Sequence, residues 1–114
     1  MSEEEYKMKN TANVHIVGTT FRNRQGCICY IMKNAKNAYV SVRRDKRNEF
    51  DANAIKVIGH VKGGKHVELG FLPKELAKKV APVMDSGKRP WVSEFRVVCG
   101  GKNRTYGVVI DIQY

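Results

Sequence analysis

Residues 38–61 run Ala38-Tyr39-Val40-Ser41-Val42-Arg43-Arg44-Asp45-Lys46-Arg47-Asn48-Glu49-Phe50-Asp51-Ala52-Asn53-Ala54-Ile55-Lys56-Val57-Ile58-Gly59-His60-Val61, and this stretch decides the fold. Residues 38–43 alternate between apolar and polar side chains at the period of two that marks a half-buried strand. Residues 54–61 are apolar and rich in β-branched side chains, so they read as a second strand. Turn formers and charges fill the segment between, around a single aromatic, Phe50. Gly63-Gly64 then signals a tight turn, which makes residues 67–72 the return strand of a hairpin.

Working outward, Val14, Ile16 and Gly18 alternate with their neighbours and lead through Thr19-Thr20 to Phe21, a strand running out into an exposed corner. Residues 27–33 have two readings. Their β-branched and aromatic content suits a strand, whereas Ile28, Ile31 and Met32 share one helical face. Downstream, Pro73 suits the first turn of a helix whose apolar stripe is Leu76, Ala77 and Val80, with Pro82 expected to disrupt it and Gly87 to end the segment. Residues 91–99 and 105–114 are two final strands, joined across Gly100-Gly101 as a second hairpin. The expected class is mainly β, with about six strands and one or two short helices. Chains of this kind form a sandwich or a small barrel, and periodicity does not choose between them.

The 114 residues fit one domain, expected over 11–114, preceded by a polar, mobile leader over 1–10. Glu3, Glu4 and Glu5 stand where a signal peptide would need basic and apolar residues, and no apolar run is long enough to cross a bilayer. These features point to the cytoplasm, in association with the nucleoid, or to the nucleus of a eukaryotic host. The formal net charge is +10, and the leader carries three Glu against two Lys, so residues 11–114 hold +11. An excess of this size on one small domain is the electrostatic footprint of a polyanion partner such as nucleic acid. Cys27, Cys29 and Cys99 lack the two-residue spacing of a zinc knuckle, which favours buried core thiols over a metal site or a disulfide framework.

In the loop after residue 43, Asn48, Asp51 and Asn53 have two readings: hydrogen bonds to the backbone of a tight turn around a core-anchoring Phe50, or a binding site. Arg44-Asp45 followed by Asn48-x-Phe50-Asp51-x-Asn53-Ala54-Ile55-x-Val57 resembles the signature of the HIRAN domain family, in which an Arg-Glu-Pro or Arg-Asp-Pro loop leads into Asn-x-Tyr-Asp-x-Asn-Ala-Ile. Two further blocks agree in order and spacing. They are Val17-Gly18-x-x-Phe21 and Leu69-Gly70-Phe71-Leu72-Pro73-Lys74-Glu75-x-Ala77, the second continuing through Ala81-Pro82-x-Met84-Asp85. The likeness spans residues 14–87 well and the last hairpin loosely.

The resemblance implies a six-stranded, modified OB-like barrel that holds the 3′ end of single-stranded DNA. It places Phe21 and Phe50 on the bases, Asp51 with Asn48 at the terminal hydroxyl, and Lys74, Arg22, Arg44, Lys46 and Phe71 at phosphates. Phe50 replaces the family's Tyr, which removes a hydroxyl and keeps a stacking face. Thr20 stands where the family has a basic residue, with Arg22 following, and Lys46 replaces the loop Pro. Family members in eukaryotes are attached to replication-fork remodelling ATPases. No Gly-x-x-x-x-Gly-Lys-Ser/Thr occurs here, so a stand-alone copy is expected, serving DNA repair or fork processing with a separately encoded helicase or remodelling ATPase as a possible partner.

Catalysis would need a nucleophile with its base, or a metal cluster, at a convincing spacing. His15, His60 and His66 lie in no such motif, and Glu49 and Asp51 would point to opposite sides of an extended segment. No enzyme activity, cofactor or metal is expected. The competing binding readings are a basic adaptor for an acidic protein and a nonspecific single-strand binder.

Overall fold

The alternation in residues 38–61 forms the expected pair of strands, and their neighbours assemble around it. The computed structural model describes residues 8–100 and 105–114. In chain order the elements are β1 (Thr11–His15), α1 (Arg24–Lys33), a 3-10 turn (Ala35–Asn37), β2 (Ala38–Arg44), β3 (Ile55–Val61), β4 (His66–Phe71), α2 (Lys74–Asp85), β5 (Trp91–Gly100) and β6 (Thr105–Gln113). The strands form two antiparallel sheets, ordered β1-β6-β5 and β2-β3-β4. The β3–β4 turn falls at Gly63-Gly64, where Gly64 N–H donates to the Val61 carbonyl at 2.9 Å. β5 and β6 pair from Trp91↔Gln113 to Gly100↔Thr105, so the second hairpin is present, while its Gly101 lies outside the described residues.

Two adjacent residues carry the chain from one sheet to the other. Ile16 N–H donates to the Val108 carbonyl of β6 at 3.0 Å, and Val17 exchanges two bonds with Phe71 of β4, at 2.8 and 2.9 Å. This seam needs glycine at position 70, since a Cβ there would collide with the Val17 carbonyl oxygen. β2 lies beside β5, but no ladder joins them among the described residues. The mainly β class therefore holds, as two three-stranded sheets joined by backbone bonds at Ile16 and Val17, and no closed barrel ladder is formed among the described residues.

The core lies between the sheets and under both helices. Ile28 and Ile31 of α1, Leu76 and Val80 of α2, and Val57, Leu69, Ile110 and Ile112 of the strands form one buried cluster. Burying each such side chain favours folding by about 1.5 to 3 kcal/mol. This packing resolves residues 27–33 as helix, because only a helical turn brings both Ile28 and Ile31 inward.

Several expectations are corrected. Pro82 does not disrupt α2, which continues to Asp85; the proline is exposed, and so is Lys78, whose carbonyl loses its helical donor on the solvent side. Pro73 stands just before the helix in an extended conformation, not within its first turn. Cys27 and Cys29 are half-buried and Cys99 is exposed, so none is a fully buried core thiol, and all three are free. Among the described residues no group of three His, Cys, Asp or Glu could hold a metal ion. Most of the leader expected over 1–10 lies outside the described residues, but Asn10 exchanges two 2.9 Å backbone bonds with Tyr114 and so extends the β1–β6 ladder. No helix among the described residues is long and apolar enough to cross a membrane.

Candidate nucleic-acid interface

The loop between β2 and β3 is built by its own side chains. Asn48 Oδ1 accepts from the backbone N–H groups of Phe50 at 2.9 Å and Asp51 at 3.0 Å, and its amide donates to Asp45 Oδ2 at 3.3 Å. Asp51 Oδ1 accepts from Asn53 N–H at 2.9 Å. Such Asx turns hold the backbone in a succession of tight turns, so the extended alternation expected of Glu49 and Asp51 does not apply. Below the loop, Arg44 closes the arrangement. Its Nη1 donates to the Ala54 carbonyl and its Nη2 to the Ala52 carbonyl, both at 2.9 Å, and its Nε donates to Asp85 Oδ1 at 3.0 Å.

The consequence is an aromatic held outward. Phe50 is 94% exposed, which excludes the core-anchor reading, and no folding contact explains an apolar ring at that position. Beside it lies a groove of about 210 Å³ lined by Val17, Asn48, Phe50, Asp51, Phe71 and Lys74 among others. Lys74 begins α2 with its side chain in solvent, where the helix N-terminus adds to its positive potential. Among the described residues no hydrogen bond ends on Asp51 Oδ2, which leaves one carboxylate oxygen to accept from a ligand. A larger recess of about 340 Å³ lies elsewhere, on the β1-β6-β5 sheet around Asn13, Glu94, Arg96 and Asp111, and contains none of these residues.

Thus Asn48, Phe50, Asp51, Phe71 and Lys74 come together in one groove. Phe21 is 69% exposed but lies on the turn after Val17 and does not line that groove. Arg22 and Lys46 are exposed outside it, and Arg22 adopts a left-handed backbone with φ of 55°. Two of the residues expected at phosphates make internal contacts of their own. The Arg44 side chain is 13% exposed and its guanidinium bonds two carbonyls and Asp85, so it organises the loop. The Phe71 backbone N–H is bonded to Val17, which leaves only its ring to face the groove.

Sequence reading missed Arg24. It is buried, donates to the Gly18 carbonyl at 2.8 Å, lies over the Phe71 ring at 5.1 Å and approaches Glu68 at 3.8 Å. Glu68 also accepts from Lys56 at 2.8 Å. Arg24 therefore fixes both the turn that carries Phe21 and the aromatic floor of the groove. A cation–π contact of this kind contributes about 0.5 to 2 kcal/mol. No local signal marks it, because Phe71 and Glu68 lie more than forty residues further along the chain.

Two titrations are displaced. The hydrogen bond from Arg44 holds the Asp85 carboxyl below its ordinary value, against a smaller opposing effect of desolvation. Desolvation, and then repulsion from His66 and Arg43, lowers the pKa of His60.

The family model of the HIRAN domain matches residues 9–111. A crystal structure of a Lactobacillus plantarum protein, solved as a structural-genomics target, superposes with a TM-score of 0.59 at 20% identity, covering 91% of this chain and 97% of that one. At that identity the likeness speaks for the fold alone. Among curated proteins, none matches significantly.

Proposed function

This chain belongs to the HIRAN domain family, a family of nucleic-acid-binding domains, and from that premise we propose that it holds the 3′ end of single-stranded DNA in the groove beside Phe50. The observation that carries this reading is Phe50 itself, a 94% exposed ring on a loop ordered by Asn48 and Asp51, beside the outward Lys74. A base stacks on Phe50, a second on the exposed Phe21, and such stacking tolerates any sequence. Lys74 takes a backbone phosphate, and the exposed Arg22 and Lys46 extend the positive rim. Asp51 accepts the terminal hydroxyl through Oδ2 while Oδ1 keeps its bond to Asn53. Asn48 acts through the loop it shapes.

An ionised carboxylate is a pure acceptor, so it favours a chain end that offers a donor and repels one that carries phosphate. The end is read and the sequence is not. This chemistry is binding without turnover, and it would serve repair or fork processing in concert with a separately encoded helicase or remodelling ATPase. Competition among three oligonucleotides that differ only in a 3′ hydroxyl, dideoxy or phosphate end tests the reading. Losing a hydrogen bond to a charged group costs about 1.5 to 3 kcal/mol, so the dideoxy end should bind roughly 10- to 150-fold more weakly and the phosphate more weakly still. Asp51→Asn should erase most of that discrimination. Equal affinity for all three ends would leave a general single-strand binder, and cleavage of any strand in the presence of magnesium would contradict binding without turnover.

A further inference from the structure

The register of the β2-β3-β4 sheet places side chains on its outer face in three rows. Tyr39, His60 and His66 form the row nearest the β3–β4 turn; Ser41, Ile58 and Glu68 form the next. Arg43, Lys56 and Phe71 form the third. Residues paired across antiparallel strands share a face, so this face joins Tyr39 to Phe71, which lines the groove described above, across a buried Ile58 and a register shift between Val57 and Ile58.

At its far end the face carries a ready-made aromatic stack. The Tyr39 and His60 rings lie 4.6 Å apart at an interplanar angle of 6°. His60 is in turn fixed by a 2.7 Å hydrogen bond between its Nε2 and Ser41 Oγ. Tyr39 is 58% exposed, so its second face is open to solvent. The one acid in the three rows, Glu68, is neutralised by Lys56 and Arg24, whereas Arg43 is exposed and makes no ion pair among the described residues. The face is therefore cationic as well as aromatic, and its complement is a polyanion with flat, stackable groups.

We infer that this sheet face is a second contact for single-stranded nucleic acid, in which Tyr39, braced by His60, stacks on a base remote from the bound end and Arg43, two rows nearer the groove, takes a phosphate along the way. The inference rests on the end-binding reading, because the strand leaves the Phe50 groove across Phe71. Tyr39 stands roughly 17 Å along β2 from Arg44, at which the loop begins, so only a strand several nucleotides long reaches it. A ring that is already stacked loses little freedom when a base adds to it, which favours binding.

The full chain should be titrated with labelled single-stranded DNA of about 4 and about 16 nucleotides, the range that single OB-like modules cover. Tyr39→Ala should weaken the longer strand by about 5- to 150-fold, leave the shorter one unchanged and leave the unfolding midpoint in place. Tyr39→Phe, which keeps the ring, should restore the longer strand's affinity and serves equally should the alanine variant fold poorly, since a Phe variant that loses affinity overturns the stacking role. Phe50→Ala should weaken both lengths. Unchanged binding of the long strand by Tyr39→Ala would overturn the inference and leave the face to an acidic protein partner. Failure of the wild-type chain to bind either length would instead remove the end-binding reading on which it stands.

Discussion

Arg44 and Asp85 are joined by a 3.0 Å bond from Nε to Oδ1 and a 3.4 Å contact from Nη2 to Oδ2, which ties the base of the Phe50 loop to the last turn of α2. Because the same guanidinium also holds the Ala52 and Ala54 carbonyls, it acts on the loop's shape from below. Arg44→Ala should lower folding stability by about 1.5 to 3 kcal/mol, the range for hydrogen bonds to a charged group, and should weaken DNA binding indirectly. Urea unfolding read beside DNA titration checks this. Asp85→Ala should be milder, since it spares both carbonyl bonds. An Arg44→Ala variant of full stability with weakened DNA binding would return Arg44 to the phosphate site.

Phe50 and Phe21 should behave as binding residues. Alanine at either position should weaken single-strand binding by about 1 to 3 kcal/mol and leave thermal unfolding nearly unchanged. A buried phenylalanine would instead cost about 3 to 5 kcal/mol of stability, so the two measurements together separate the roles.

Lys74 stands in solvent at the start of α2, and its contribution should appear in the salt dependence. Each phosphate contact to a single strand adds roughly −0.7 to the slope of log affinity against log salt. Lys74→Ala should flatten the slope by about that amount and leave stability intact. An unchanged slope would place the phosphate elsewhere.

Arg22 adopts a left-handed backbone, which costs a non-glycine residue about 1 to 2 kcal/mol. Arg22→Gly relieves that strain and loosens the unfolded chain by about 0.5 to 1 kcal/mol, so stability should stay level or rise slightly. DNA affinity should fall, since one cation is removed beside Phe21. Stability and affinity moving together would argue against a phosphate role for the side chain.

Acid should weaken the fold through two groups. The Asp85 pKa lies below its ordinary 3.8, so its contribution is present above that value and lost as pH falls through the lowered one. The His60 pKa lies below 6.5, so the unfolded chain takes up that proton first and stability declines as pH drops below 6.5. Urea midpoints from about pH 8 to about pH 5 should show the histidine effect, and His60→Gln should flatten it.

Much of this protein was legible in order along the chain. The alternation of residues 38–43, the β-branched run to Val61, the Gly63-Gly64 turn and the apolar stripe of α2 are local patterns, fixed by side-chain spacing and by which residues tolerate a turn. The blocks around Phe50 and Lys74 were legible as a resemblance, and the groove brings those residues together. Local patterns left residues 27–33 undecided, and packing of Ile28 and Ile31 against the strands made them helix. The burial of Arg24, the loop clamp made by Arg44, the loss of the Phe71 N–H to Val17 and the Tyr39–His60 stack all join residues brought together by strand register or by the sheet crossing at Ile16 and Val17. Periodicity fixes which side chains share a face within one element; the partner they meet across space is set by how the elements pack, and that packing alone decides whether a cation faces a phosphate or supports a loop.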